Sequence, residues 1–281
     1  MPQLSRAKKL YLLYGVSMLS FTGFLDATIV SAALPDIQSS LNMSVTQLQW
    51  IMNAFFLGIS AFMASMGRVG DLYGRRKVFY IGTLVFGLAS ISAGLATAPA
   101  FLILCRALQG ITTAITIPVG IALIQAAHDK KEIAKAMSIF GSITGAGLAL
   151  GPVIGGALVT GFGWPAVFFV NIPFIIVGFA LCMVGVKESR SNSEMTLDYF
   201  GIVFLTLTIA SLVFGMVQAN SAGWNSELVI TSFIVSVNGV RSCLLLFRYA
   251  PALRSFLFRY LLKYFHRITI FTNNIYTNRG W

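Results

Sequence analysis

The most regular feature of the sequence is a series of long apolar runs separated by short polar connections. Eight such runs can be drawn, each long enough to cross a hydrocarbon core of about 30 Å. Their predicted bounds are 10–34, 48–66, 78–96, 101–126, 136–159, 166–186, 199–218 and 228–247. This pattern predicts an all-α, polytopic membrane protein in which each run is a transmembrane helix.

The basic residues are confined to alternate connections. The connections at 35–47, 97–100, 160–165 and 219–227 contain no Lys or Arg, whereas the N-terminus and the remaining connections are basic. Because cytoplasmic loops of membrane proteins are enriched in Lys and Arg, the alternation predicts a cytoplasmic N-terminus in a plasma (inner) membrane. The net charge of +11 is spread over several loops rather than one patch. We therefore expect a lipid bilayer as partner, and no nucleic acid.

The polar connections also divide the chain into segments. We predict a cytoplasmic N-terminus at 1–9, a six-helix bundle at 10–186 and a cytoplasmic linker at 187–198, where serines and an asparagine accompany the charges. Two additional transmembrane helices follow at 199–247, and a basic cytoplasmic tail at 248–281. The end of this tail is basic and aromatic, which fits either an interfacial helix or the end of a truncated chain.

Charged and polar residues inside the apolar runs are the candidates for function. Asp26 and Arg106 lie within the first and fourth runs, where a charge costs about 2.5–3.5 kcal/mol on insertion scales. Each must therefore find a partner, water or a proton, although Asp26 could instead reach the interface and Arg106 could snorkel or brace neighbouring helices. Gln109 lies one turn from Arg106, and Gly110 beside it leaves room for a close backbone. Asn53 in the second run suits either a cavity wall or an interhelical hydrogen bond.

A charged stretch at 67–77 joins the second and third runs. Its glycines permit a tight reversal, and its cations suit the cytoplasmic side. The residues that carry its pattern are Gly67, Asp71, Gly74, Arg75 and Arg76. This stretch resembles the signature loop between the second and third helices of major facilitator superfamily transporters. The resemblance implies that Asp71 engages a facing helix end and cationic partners, and so latches the outward-facing state.

Three further stretches resemble the same family. The segment 25–35 around Asp26 is similar to the first-helix motif of drug:proton antiporters, where the matching acid is linked to transport. The segment 104–114, with Arg106 and Gln109, is similar to a fourth-helix motif associated with proton coupling. The segment 163–173 resembles the start of the sixth helix in the fourteen-helix drug-exporter branch, although Pro165 and Ala166 depart from its usual Trp-Arg-Trp pattern. Two helices after a six-helix bundle also fit that branch.

The fifth run is rich in glycine. Gly141 and Gly145 are four residues apart, a spacing that lets a neighbouring helix approach closely. They are followed by Gly147, Gly151, Pro152, Gly155 and Gly156. The proline removes a backbone hydrogen bond and favours a bend. By resemblance, the stretch 151–156 is the antiporter motif found mainly in exporters.

Together these resemblances imply a proton-coupled secondary active exporter of drugs or other lipophilic or cationic small molecules. It would use the proton gradient rather than a cofactor, and no metal is expected. Alternating access requires two bundles, whereas this chain contains one, so a C-terminal half is expected to be missing. The alternatives are a truncated, non-transporting membrane fragment or assembly subunit, and a uniporter or channel-like path. An enzyme is not expected, because the sequence has no nucleophile–base pair, metal cluster or phosphate loop.

Overall fold

The computed structural model describes residues 5–185 and 199–248, and nearly all of these residues are helical. The helices are α1 (Arg6–Ser40), α2 (Val45–Tyr73), α3 (Arg75–Gly94), α4 (Pro99–Ala127), α5 (Lys130–Phe162), α6 (Ala166–Phe169), α7 (Asn171–Gly185), α8 (Tyr199–Ala222) and α9 (Glu227–Arg248). Among the described residues, six segments are long and apolar enough to cross a membrane, with α6 and α7 together forming the sixth. The all-α membrane fold is confirmed. The predicted linker at 187–198 and nearly all of the predicted tail lie outside the described residues.

Helix α1 is the centre of the bundle. About three quarters of its most apolar stretch is buried (72%), whereas the corresponding share of α5 is 22%. The helices that pack most extensively against α1 are α5, α7 and α4. Leu25 and Ile29 on α1 are fully buried in one of the two apolar cores. Because other helices surround α1, its polar side chains must find their partners inside the protein.

The first predicted run ends too early. Helix α1 continues through Pro35 to Ser40, beyond the predicted end at 34. Proline removes only one backbone hydrogen bond from the helix. Packing holds the next turn, since Ile37 is fully buried. The chain then reverses through Asn42, whose φ of 49° is left-handed, and Ser44 caps α2.

The charged stretch at 67–77 is mostly helix rather than turn. Helix α2 extends to Tyr73 and α3 begins at Arg75, so the whole break is Gly74, with φ of 100°. The prediction that three glycines form the reversal is wrong for Gly67 and Gly70, which lie inside α2. A Cβ atom on Gly70 would lie 2.7 Å from Cγ2 of Val119 on α4. Gly70 therefore permits helix packing.

The sixth predicted run begins at Ala166 as expected but is divided after Phe169. Pro173 explains the break, because it has no N–H to donate to the carbonyl of Phe169 four residues earlier. The break makes Asn171 the first residue of α7.

Helices α8 and α9 coincide with the seventh and eighth predicted runs and pack against each other. Helix α8 also lies along α2. The hydroxyls of Ser65 and Thr206 are 3.2 Å apart, and the rings of Trp50 and Phe214 have centroids 5.8 Å apart. The two additional helices are thus docked on the outer side of α2.

Candidate functional site

The two charged residues of the first and fourth runs meet inside the bundle. Nη1 of Arg106 donates to Oδ2 of Asp26, and both side chains are completely buried. This burial is incompatible with an acid at the interface or a snorkelling arginine. In an apolar bundle, each charge offsets the desolvation cost of the other.

Arg106 is held on three further sides. Its Nε donates to the carbonyl oxygen of Ile51 on α2 at 3.2 Å, and its Nη1 to Oε1 of Gln109 at 3.0 Å. The Phe55 ring lies against the guanidinium, with 4.2 Å between Cζ and the ring centroid. Such stacking on a desolvated cation contributes about 2 kcal/mol. Arg106 therefore joins α1, α2 and α4.

Two glycines let α2 come this close to α4. A Cβ atom on Gly110 would lie 2.1 Å from the carbonyl oxygen of Phe55, and one on Gly58 would lie 2.8 Å from that of Ala107. The predicted close backbone approach at Gly110 is therefore present, and the approaching helix is α2. This contact brings Ile51 and Phe55 to Arg106.

The other carboxylate oxygen of Asp26 is bound by two amides. Oδ1 accepts from Nε2 of Gln109 at 3.3 Å and from Nδ2 of Asn171 at 3.0 Å. Both amides also donate to Oγ of Ser90, at 3.2 and 3.0 Å respectively. We call Asp26, Ser90, Arg106, Gln109 and Asn171 the buried network, and all five are fully buried. It joins α1, α3, α4 and α7.

Ser90 fixes the direction of the hydrogen bonds. Its hydroxyl donates to the carbonyl oxygen of Phe168 at 2.9 Å, so its lone pairs are available to both amides. Two buried atoms of the network make no hydrogen bond within the described residues, namely Nη2 of Arg106 and Oδ1 of Asn171. Buried unpaired polar atoms are rare in native proteins, so each of these two atoms needs a structural or functional explanation.

The sequence predicted only part of this network. Asp26, Arg106 and Gln109 were identified, whereas Ser90 and Asn171 were not. Asn171 carried a usable signal, since it is a strongly polar side chain between Val170 and Ile172 in an apolar run. Ser90 carried none, because serine is ordinary in transmembrane helices. Asn53 is half-buried on α2, and none of the hydrogen bonds of the network reaches it.

The sequence as a whole was then compared with known proteins. The profile of the Major Facilitator Superfamily matches residues 16–265. The chain belongs to this superfamily. Solved structures with a similar fold include that of the POT family transporter PepTSo, which aligns with a TM-score of 0.62 at 12% identity, covering 84% of this chain and 52% of that one. A bacterial homologue of the human lysosomal transporter Spinster aligns with a TM-score of 0.54 at 17% identity, covering 83% and 60%. At these identities the likeness concerns the fold.

Curated relatives are more similar in sequence. Multidrug resistance protein Stp of Mycobacterium tuberculosis is 36% identical over 75% of this chain and 39% of its own length. Puromycin resistance protein pur8 of Streptomyces alboniger is 35% identical over 76% and 42%. The tetracenomycin C resistance and export protein of Streptomyces glaucescens is 34% identical over 71% and 37%. The chain thus spans about two fifths of the length of these relatives. It is a multi-pass transporter-family chain, not an enzyme.

The superfamily signature stretch contains a second Asp–Arg pair. Nε and Nη2 of Arg75 both lie 2.7 Å from Oδ1 of Asp71, across the Gly74 break. Nη1 of Arg75 donates to the carbonyl oxygen of Ala122 near the end of α4 at 3.3 Å. Arg76 lies over the ring of Tyr80, with Cζ 5.4 Å from its centroid. The residue that reaches a facing helix end is therefore Arg75, and the latch role of Asp71 stays a prediction.

The glycines of α5 divide into two sets. A Cβ on Gly151 would lie 1.9 Å from Oγ1 of Thr28, and those on Gly147 and Gly155 would lie 2.9 and 2.6 Å from backbone oxygens of α1. These three glycines form the α1–α5 seam. The predicted close approach at Gly141 and Gly145 does not occur among the described residues, where no atom lies within 4 Å of a Cβ placed at either position. The same holds for Gly156, which faces away from α1.

Pro152 has a specific effect on this seam. Its missing N–H leaves the carbonyl of Leu148, four residues earlier, without its helical donor. Oγ1 of Thr28 donates to that carbonyl oxygen at 3.0 Å. This hydrogen bond links the proline-containing turn of α5 to α1 at a position two residues from Asp26.

Proposed function

We propose that this chain forms part of a proton-coupled exporter of drugs or other lipophilic or cationic small molecules, and that Asp26 binds the coupled proton. The observation that carries the proposal is a fully buried carboxylate paired with Arg106 in the central helix of a transporter bundle. An ionisable residue in a membrane interior is a functional site by default, because its cost of burial is retained only where it is used. The names of the relatives, which refer to drug resistance and export, support the substrate class.

The ion pair between Asp26 and Arg106 would couple proton binding to a change of conformation. While Asp26 is ionised, it holds Arg106 and, through it, the backbone of α2 at Ile51. A proton on Asp26 removes the charge that holds the guanidinium, so the α1–α2–α4 junction loosens. A ligand or proton that binds one conformation better than the other shifts the population toward it. Proton binding and substrate binding would thus favour opposite gates.

The other motif residues have proposed roles in this cycle. The stretch with Gly67, Asp71, Gly74, Arg75 and Arg76 acts as the gating loop, supported by the hydrogen bond between Arg75 and the end of α4. The α1–α5 seam of Gly147, Gly151, Pro152 and Gly155 makes these two helices move together, with Gly156 beyond the contact. Gln109 orients both charges of the pair, and Asn53 lines the substrate cavity.

We propose an orientation with the N-terminus in the cytoplasm of a plasma (inner) membrane. Nζ of Lys9, at the start of α1, lies 3.1 Å from Asp129 and 2.7 Å from Glu132, at the start of α5. Arg75 contacts the last turns of α4. The basic helix ends therefore meet on one side of the bundle, as the positive-inside rule requires of a cytoplasmic face.

A second candidate is a non-transporting fragment or assembly subunit. The chain spans about two fifths of the length of its relatives. Alternating access depends on two bundles rocking about a central site. On the exporter proposal, a second bundle is therefore a required partner, together with the substrate and protons, and the two helices α8 and α9 fit the fourteen-helix branch.

The proposal is tested by proton-driven uptake of ethidium, a lipophilic cation, into everted vesicles that contain the chain together with a second bundle. Asp26→Asn should abolish the component driven by the pH gradient and leave the amount of protein in the membrane unchanged. Asp36→Asn is the matched control, since Asp36 lies on the same helix but is exposed, and it should transport like the wild type. Gradient-driven transport that survives Asp26→Asn would refute the proposal. Wild-type vesicles without transport would favour the subunit, and flux insensitive to the gradient would indicate a uniporter.

A further inference from the structure

The side chain of Asn171 makes closer contacts with the proton site than the predicted residue Gln109 does. Its Nδ2 lies 3.0 Å from both Oδ1 of Asp26 and Oγ of Ser90, whereas Nε2 of Gln109 lies at 3.3 and 3.2 Å from the same atoms. Asn171 is fully buried and is 145 residues from Asp26 in the chain. Two amides from different helices therefore bind the same carboxylate oxygen and the same hydroxyl.

The orientation of the Asn171 amide follows from its partners. Ionised Asp26 only accepts hydrogen bonds, and the hydroxyl hydrogen of Ser90 is already donated to the carbonyl of Phe168. The atom between these acceptors must be the NH₂ group, and Oδ1 then points away. This Oδ1 is buried and makes no hydrogen bond within the described residues.

We propose that Asn171 is a positioning residue for proton exchange at Asp26. Asn171 holds the ionised carboxylate through Nδ2 and accepts a hydrogen bond from the protonated acid through Oδ1. A half-turn of the amide exchanges the two atoms, because they differ little in shape. The proton binds a carboxylate oxygen of Asp26, and the new O–H donates to Oδ1 of Asn171. This inference rests on the proposed function of Asp26.

The surroundings of Asp26 leave this role to few groups. Among the described residues of the helices packed against α1, Arg106 on α4 is the charged side chain that contacts Asp26. The helices around α1 also carry other charged or titratable residues. These are Arg68, Asp71 and Tyr73 on α2, Lys130, Lys131, Glu132 and Lys135 on α5, Cys105 on α4 and Cys182 on α7. None of them forms a hydrogen bond with Asp26 in the described part of the chain.

The test measures proton occupancy of Asp26 without any transport. A hydrophobic carbodiimide modifies a carboxyl group in its protonated form, and mass spectrometry of the Asp26 peptide gives the modified fraction at each pH. Asn171→Leu removes the amide and keeps the number and branching of the side-chain heavy atoms. The variant loses the hydrogen bonds to both forms of Asp26, and the bond to the charged form is roughly twice as strong as the bond to the neutral one. The modified fraction at a given pH should therefore rise about five-fold in Asn171→Leu, where modification is far from complete.

Thr144→Val is the matched control, because the buried hydroxyl of Thr144 donates only to carbonyls of its own helix. A modified fraction in Asn171→Leu equal to that of Thr144→Val would overturn the proposal. If Asn171→Leu does not fold, Asn171→Ala carries the same expectation.

A second measurement separates positioning from packing. The fall in thermal midpoint caused by Asn171→Leu should be clearly smaller in an Asp26→Asn background than in the wild type, since no anion remains to be held. Equal falls in the two backgrounds would overturn the proposal. The failure of the proposed function is a separate result, namely proton-driven transport that persists in Asp26→Asn.

Discussion

The molecule contains two Asp–Arg pairs in opposite surroundings. Asp26 and Arg106 are fully buried, lie 80 residues apart in sequence, and are bound by Ile51 on α2, Gln109 on α4 and Asn171 on α7 as well as by each other. Asp71 and Arg75 are four residues apart across one glycine, and their side chains are 34% and 22% exposed. The first pair requires the tertiary fold, whereas the second is local.

The difference determines what each pair can do. The Asp71–Arg75 pair is only partly buried, so water and salt screen it and it stabilises the protein by about 0–1 kcal/mol. We call it the exposed pair, and it forms and breaks easily. A buried pair barely gains from its own attraction, but removal of one partner is strongly destabilising. On the proposed function, the buried pair would serve a proton-controlled change of conformation and the exposed pair a gate that opens in each cycle.

The largest expected effect comes from breaking the buried pair on one side. Arg106→Leu leaves Asp26 without its cation and should lower the free energy of unfolding by about 3–5 kcal/mol, measured in detergent. The double variant Asp26→Leu/Arg106→Leu should recover most of this loss, because no unpaired charge remains. If the double variant were as unstable as Arg106→Leu, the loss of stability would not come from an unpaired charge.

A middle-sized effect is expected where α2 meets α4. Gly110→Ala places a Cβ against the carbonyl of Phe55, so α2 must shift away from Arg106, at a cost of about 1–3 kcal/mol. Gly67→Ala, near the exposed pair, meets only Cβ of Pro118 at 3.9 Å and should stabilise α2 by up to about 1 kcal/mol. Thermal unfolding of Gly110→Ala and Gly67→Ala measures the two changes in stability. If they behave alike, the close approach of α2 does not support the buried pair.

The smallest effect is expected at the exposed pair. Asp71→Asn should lower stability by less than about 1 kcal/mol, and the loss should fade in 1 M salt, where the screening length is about 3 Å. Unfolding of the wild type and Asp71→Asn at low and high salt measures it. A large loss that persists in high salt would mean that Asp71 has a buried partner in the complete transporter.

Much of the fold could be predicted from sequence, because helix length and hydrophobicity are local properties. The six-span bundle, its all-α class and the positions of Asp26 and Arg106 followed from runs of apolar residues and from the cost of a charge within them. The continuation of α1 beyond Pro35 and of α2 through Gly67 and Gly70 did not follow, since packing carries a helix past a proline or through a glycine. The division of the α5 glycines into two sets did not follow from the sequence either, because both sets have similar spacing and only one set faces α1.

The sequence by itself determined which segments enter the membrane, which connections are basic and which residues are too polar to lie in lipid without a partner. These properties depend on transfer free energies that each residue carries wherever it lies. Only the tertiary structure decided which partners meet, since the contact of Asp26 with Asn171 spans 145 residues and depends on how four helices pack. No local pattern encodes such a distance. Asp26 and Arg106 were therefore an attractive pair whose contact the sequence could not show, and the amide of Asn171 was not foreseen.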